Sequence, residues 1–233
     1  KEKDGYKPGE VDYAKEIVQQ FKNKGLDSEK MESVISVSVT VNIKLAMSKS
    51  HFENDDDKDL YVSKVMKQGF DALEDSYKKD KISNISFDKD KHKERGNKIL
   101  EKTLSALDKV RPKDDSDGAK HKKRMEKALE AYGEGLCKPL GNKDIVEKSP
   151  DDAGEDCGEL QADSFEVISN YIDKDSNMND AQKNQYRKDF GTFVGKGVDK
   201  HMDESGDKYN KEKKNTKRNS KLQDKGIKGK FNV

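Results

Sequence analysis

The residue types able to do chemistry in this 233-residue chain are few: two cysteines, four histidines, an Asp/Asn-rich run and a dense set of lysines. Cys137 and Cys157 lie 20 residues apart in Leu136-Cys137-Lys138-Pro139 and Glu155-Asp156-Cys157-Gly158. Both settings read as loop, and an even count flanking one connection favours a disulfide over two free thiols. Paired, they would stabilise the fold by roughly 3 kcal/mol on the chain-entropy argument. The histidines His51, His92, His121 and His201 are scattered, with neither His-Glu-x-x-His nor Cys-x-x-Cys spacing. Each has charged neighbours, which predicts exposed side chains rather than metal ligands, so no metal and no cofactor is expected.

Residues 173–184 place oxygen-bearing side chains at Asp173, Asp175, Asn177 and Asn179, the odd positions of a calcium loop. Such a loop needs a Gly at its sixth position and a bidentate Glu at its twelfth. Met178 and Asn184 stand there, and Asp180 takes the apolar eighth place. The run therefore predicts an interhelical turn, with Asn179 or Asp180 capping the helix that follows. No Gly-x-Ser-x-Gly elbow, Walker loop or dinucleotide fingerprint occurs. The acidic runs Asp55-Asp56-Asp57 and Asp114-Asp115 read as solvated loops in a chain with 47 acids. An enzyme is not expected.

The strongest local signal for a partner is basic. Lys208, Lys211, Lys213, Lys214, Lys217, Arg218, Lys221, Lys225, Lys228 and Lys230 face only two acids, Glu212 and Asp224, between residues 208 and 233. That segment carries a net +8, leaving −7 on residues 1–207 of a chain whose total is +1. Such density attracts polyanions through charge and counterion release. Glycosaminoglycan or anionic phospholipid suits a secreted chain. Nucleic acid is disfavoured, because Tyr209 and Phe231 are the only aromatic residues available for base stacking. The competing reading is a solubilising tail that folds back on the acidic body.

The elements that must position these groups are helical. Charged residues make up 41% of the chain and hydrophobic ones 30%, and no window approaches the roughly 20 apolar residues of a membrane span. Apolar stripes at helical period run through Val11, Ala14, Ile17, Val18 and Phe21; through Val62, Val65, Met66, Phe70, Leu73 and Tyr77; and through Ile99, Leu100, Leu104 and Leu107. Further stripes follow through Met125, Ala128, Leu129, Tyr132 and Leu136; Phe165, Ile168 and Ile172; and Tyr186, Phe190, Phe193, Val194, Val198 and Met202. Asp57 or Asp59 is placed to cap the Val62 helix, while Leu26 and Met31 flank Asp27 as a hydrophobic staple.

Residues 35–45 are ambiguous, because Ile35, Val37, Val39, Val41, Ile43 and Leu45 alternate with polar residues as in a strand. A strand would lack a good partner. The helical alternative puts Met31, Val34, Ile35, Ser38, Val41, Asn42 and Leu45 on the main face, and context favours it. The resulting expectation is an all-α, single-domain bundle of about seven helices with one disulfide-closed loop and a disordered basic C-terminal tail. Its divisions are an N-terminal extension over 1–10, a helical domain over 11–203 and a flexible tail over 204–233.

Residue 1 is Lys and no apolar leader precedes the first stripe, as expected once a secretory signal has been removed. Asn84-Ile85-Ser86 supplies a glycosylation sequon at Asn84. The bias toward Lys, Asp and Asn resembles that of secreted proteins from AT-rich genomes, such as saliva proteins of blood-feeding arthropods or parasite surface antigens. This compositional resemblance implies a host-interacting protein and assigns no residue a role. Function is therefore expected to be extracellular, non-enzymatic binding of a protein or polyanion. The alternative is a carrier holding a small hydrophobic ligand in a cavity between helices.

Overall fold

Among the described residues of the computed structural model, six α-helices and one 3-10 turn follow one another: α1 (Ser28–Ser48), α2 (Asp55–Ile82), α3 (Lys89–Lys109), α4 (Ala119–Cys137), the turn Lys138–Gly141, α5 (Pro150–Asp173) and α6 (Asp180–Asp224). The structure describes residues 19, 23–48, 52, 54–176 and 178–224, with the backbone alone for Ser48 and residues 203–224. Six of the seven expected helices are found, and the stripe from Val11 to Phe21 lies outside the described residues. Among the described residues there is no strand.

Short polar side chains set the helix starts. Asp27 accepts the amide of Lys30, Asn54 that of Asp57, Asp88 that of Lys91, and Ser149 that of Asp152. Each satisfies one of the amides that a helix N-terminus leaves without a carbonyl. For α2 the cap is Asn54; Asp57 and Asp59 lie inside the helix. Asn179 and Gln182 exchange hydrogen bonds at the start of α6, a reciprocal capping box.

Residues 35–45 are helical, and their polar side chains show why. Ser36, Thr40 and Asn42 each donate to the carbonyl four residues back, which satisfies them within a helix. The buried face is rotated from the one expected. Met31, Ile35, Val39, Ile43 and Ala46 are inside, whereas Val37, Val41 and Leu45 are exposed. Polar partners account for the rotation: buried Glu32 bonds Ser36 and pairs with Lys98 of α3, and Tyr61 of α2 donates to Asn42. Phe165 likewise departs from its expected place, lying 43% exposed over Gly191 instead of in the core.

α4 is the central element, touching α2, α3, α5 and α6, while α1 covers the other side of α2 and α3. Its most extensive contact is with α6, and glycines make that contact possible. A Cβ on Gly133 would lie 2.2 Å from the Val194 carbonyl oxygen, and one on Gly197 would lie 1.9 Å from that of Glu130. The two backbones therefore touch. On the opposite face of α4, Gly135 lies beneath the Phe70 ring, and Tyr132 donates to Asn97 at 2.7 Å.

The high charge content lies around this core. Lys67–Glu134 joins α2 to α4, Lys93–Asp163 and Lys89–Asp156 join α3 to α5, and Lys196–Glu126 joins α6 to α4. Individual exposed pairs of this kind contribute about 0–1 kcal/mol; their chief effect is to fix which helix faces meet. The backbone of α6 continues as helix to Asp224, past Met202, the last of the described side chains packed on the core. Lysines favour helix once a preceding turn supplies the nucleus, so Lys208 to Lys221 stand on that continuation. Lys225, Lys228 and Lys230 lie outside the described residues.

Candidate functional site

The sequence-predicted site residues fall in three separate places. Cys137 and Cys157 are bonded, with Cα atoms 5.1 Å apart. Neither lies in a loop: Cys137 is the last residue of α4, and Cys157 lies two turns inside α5, which begins as far back as Pro150. The bridge thus ties two helices. Asn84 occupies the exposed turn between α2 and α3 with φ +60°, a left-handed conformation that asparagine tolerates better than most residues. The basic set begins at Lys208, whose side chain and those after it are not described.

A fourth place was not expected to be structured. α4 starts behind Gly118, whose φ of +72° turns the chain and which offers no side-chain cap. Asp115 takes over that role, accepting the amides of Lys120 at 3.0 Å and His121 at 2.7 Å. Burial alone would raise its carboxyl, but these two amides hold it below the usual carboxylate range. Asp115 is buried, so the 114–115 run is a helix cap on one side and not a solvated loop throughout.

One turn into α4, Arg124 is buried between two carboxylates from the start of α2. Its Nη2 donates to Asp55 at 3.0 Å, and its Nε lies 3.3 Å from Asp59. Arg124 and Asp59 are each 3% exposed. The Nε and the facing Asp59 Oδ1 lack hydrogen-bonding partners among the described residues, so this contact is a charge pair without a hydrogen bond. Burial pushes the Asp59 carboxyl up to about 6, against the opposing pull of Arg124. Lys123 pairs with Asp56 and stands 3.8 Å from Asp59, and Lys120 reaches Asp114 at 2.7 Å. The Asp55-Asp56-Asp57 run is therefore the acidic first turn of α2, where the helix dipole also favours it.

Two histidines are buried, contrary to the exposure expected of them. His121 faces Asp108 at 3.8 Å, beyond hydrogen-bond distance, and burial followed by Arg111 lowers its imidazole to about 4. Tyr171 of α5 donates to the same Asp108 at 3.2 Å. His92 is enclosed in the core, with the Tyr77 hydroxyl 2.7 Å from Nδ1 and the Leu136 carbonyl 3.0 Å from Nε2. Because Nε2 must donate to that carbonyl, Nδ1 accepts from Tyr77. Burial lowers His92 to about 4 as well. Both rings are neutral structural members at pH 7.

Among the described residues no group of three or more His, Cys, Asp or Glu side chains is placed to hold a metal ion. Asp173 ends α5 and pairs with Arg187, and Asn179 caps α6, so these two loop positions serve helix ends; Asn177 lies outside the described residues. No helix among the described residues is long and apolar enough to cross a membrane. No family model, curated protein or solved structure matches this chain. Four of the buried charged or imidazole residues did leave a signal in the sequence. Asp59, His92, His121 and Arg124 each continue an apolar stripe of their own helix by one turn or two.

Proposed function

We propose that this is a secreted, non-enzymatic binding protein that engages a polyanion, glycosaminoglycan or anionic phospholipid, through the basic segment after residue 207. The observation that carries the reading is the contrast between this segment and the body. Body lysines such as Lys67, Lys93, Lys122 and Lys196 are matched by carboxylates on neighbouring helices. Residues 208–233 hold ten bases against two acids, seven of the bases along the helical backbone of α6. The 22 residues from 203 to 224 would extend about 33 Å at helical rise, enough to lay several cations along one polyanion chain. The Cys137–Cys157 bond supports the extracellular part of the reading, since disulfides persist in oxidising compartments. A carrier role is less well supported, because a Cβ on Gly69 would lie only 2.8 Å from Ile35, leaving no room for a ligand between α1 and α2 there.

Binding to immobilised heparin and to anionic phospholipid vesicles tests the proposal and separates the two sources. With about five charges neutralised, affinity falls on the order of 50–100-fold between about 0.1 and 0.3 M salt. Replacing Lys213, Lys214, Lys217 and Lys221 by Gln lowers the log–log salt slope by roughly one for each lysine engaged. No binding to either probe, or an affinity indifferent to salt and to the fourfold variant, overturns it.

A further inference from the structure

The turn between α2 and α3 brings together a glycosylation sequon and two exposed isoleucines. Residues 81–86 are all exposed, Ile82 at 83% and Ile85 at 55%. They stand on either side of Asn84, which opens the sequon Asn84-Ile85-Ser86. A single exposed isoleucine needs no explanation, whereas two at the tip of one turn form a patch that calls for a cover. Main-chain bonds hold this turn. The Asn84 amide donates to the Lys81 carbonyl at 3.0 Å, and the Ile85 amide to that of Asp80 at 2.9 Å. On the far side, the Phe87 ring packs on Tyr77 and His92, with centroids 5.1 and 5.6 Å away. Closure of the turn therefore depends on neither the Asn84 carboxamide nor the Ser86 hydroxyl. The φ of +60° at Asn84 is one that asparagine tolerates.

We propose that Asn84 carries an N-linked glycan whose first sugars lie over Ile82 and Ile85. In the transfer, Nδ2 of Asn84 attacks C1 of the first N-acetylglucosamine of an oligosaccharide borne on a lipid pyrophosphate. The N–C bond forms as the C1–O bond breaks, the lipid pyrophosphate leaves with the electron pair, and Nδ2 gives up one proton. Donor and transferase belong to the secretory pathway. The inference thus rests on the extracellular part of the proposed function and is independent of polyanion binding. Sequence supplies the acceptor, with serine two residues after the asparagine and no proline between them. The fold supplies the room, because a bulky group on this exposed turn extends into solvent and displaces nothing in the core. The isoleucines supply a surface for it. Sugar rings present apolar C–H faces, and laying these over Ile82 and Ile85 removes apolar area from water.

Full-length protein exported from cultured insect cells behind a supplied secretion signal tests this. Mass spectrometry should find the tryptic peptide of residues 82–89 carrying the glycan. Peptide-N-glycosidase should release it, leaving aspartate in place of the asparagine. Ser86→Thr should keep the glycan and Ser86→Ala should lose it, with the same helical circular dichroism. The cover is read with the apolar dye ANS, which reports exposed hydrophobic surface. Ser86→Ala protein should bind more dye than the glycoprotein. Adding Ile82→Ser/Ile85→Ser to both, which leaves the sequon intact, should abolish that difference. An unmodified 82–89 peptide in exported protein overturns the site; if Cys137–Cys157 is intact in the same material, the secretory reading stands and the site alone fails. Equal dye binding with and without the glycan overturns the cover. Failure of export with both native cysteines reduced overturns the secretory reading and the site together.

Discussion

Gly197→Ala and Gly158→Ala make the same chemical change inside two helices, and their effects on stability should have opposite signs. At Gly197 the new methyl would meet the Glu130 carbonyl oxygen at 1.9 Å and the Glu134 amide nitrogen at 2.9 Å. Ordinary contact begins near 3.4 Å, so α6 must retreat from α4 by about 1.5 Å. The obstacle is helix backbone, which cannot swing aside as a side chain would. Overpacking costs about 1–3 kcal/mol, and this geometry belongs at the upper end. Alanine's better helix propensity returns about 1 kcal/mol, leaving a net loss of about 2 kcal/mol. At Gly158, on the exposed face of α5, a Cβ meets nothing within 4 Å. Propensity acts alone there, for a gain of about 0.5–1 kcal/mol. The corresponding Tm changes are a fall of about 4–8 °C and a rise of about 1–4 °C. Urea denaturation followed by circular dichroism, with m unchanged, measures both. A Gly197→Ala protein as stable as the parent would refute the backbone contact between α4 and α6.

Acidification should destabilise the fold between pH 6.5 and about 4, because His92 and His121 are held neutral when folded and gain protons more readily when unfolded. The His92 contribution is about 3 kcal/mol at full extent; urea midpoints that stay flat across this window would disprove it. Asp59 works the other way: its folded pKa is raised, so its contribution is greatest below pH 3.8 and is lost as pH rises through about 6. Asp59→Asn should therefore steepen the acid loss in the same titration. Arg124→Met leaves Asp59 buried without its nearest cation and should cost about 3–5 kcal/mol at pH 7, most of which the Asp59→Leu/Arg124→Met pair recovers. Reducing the Cys137–Cys157 bond should cost roughly 3 kcal/mol for its 20-residue separation, read from denaturation with and without reductant.

Periodicity made the helices legible because each buries one continuous stripe, and the Val62–Tyr77 and Met125–Leu136 stripes are inside as read. It was less reliable on α1, where alternation and helical period overlap. There the choice of face depended on Lys98 and Tyr61, partners that lie 66 and 19 residues away. The disulfide pairing followed from the count, but its setting did not, because Pro150 and Ser149 start a helix in a stretch that looked like a polar connection. Runs of acids resisted reading for a related reason. Whether Asp115 is a cap or a solvated charge depends on the two amides of α4 folding over it. The buried histidines show the same limit: charged sequence neighbours describe the other faces of a helix, not the face the ring occupies.

The largest helix contacts, α4 with α6 and α2 with α4, skip a neighbour in the sequence. This has a consequence for the order in which the protein is made. As the chain emerges from the ribosome, α4 has α2 and α3 available at once, yet its Gly133 seam stays open until the chain has extended past Gly197. Cys157 emerges some 40 residues before that point. The bond to Cys137 can therefore close while the far side of α4 is still wet, fixing α5 in place before α6 arrives to lie against both.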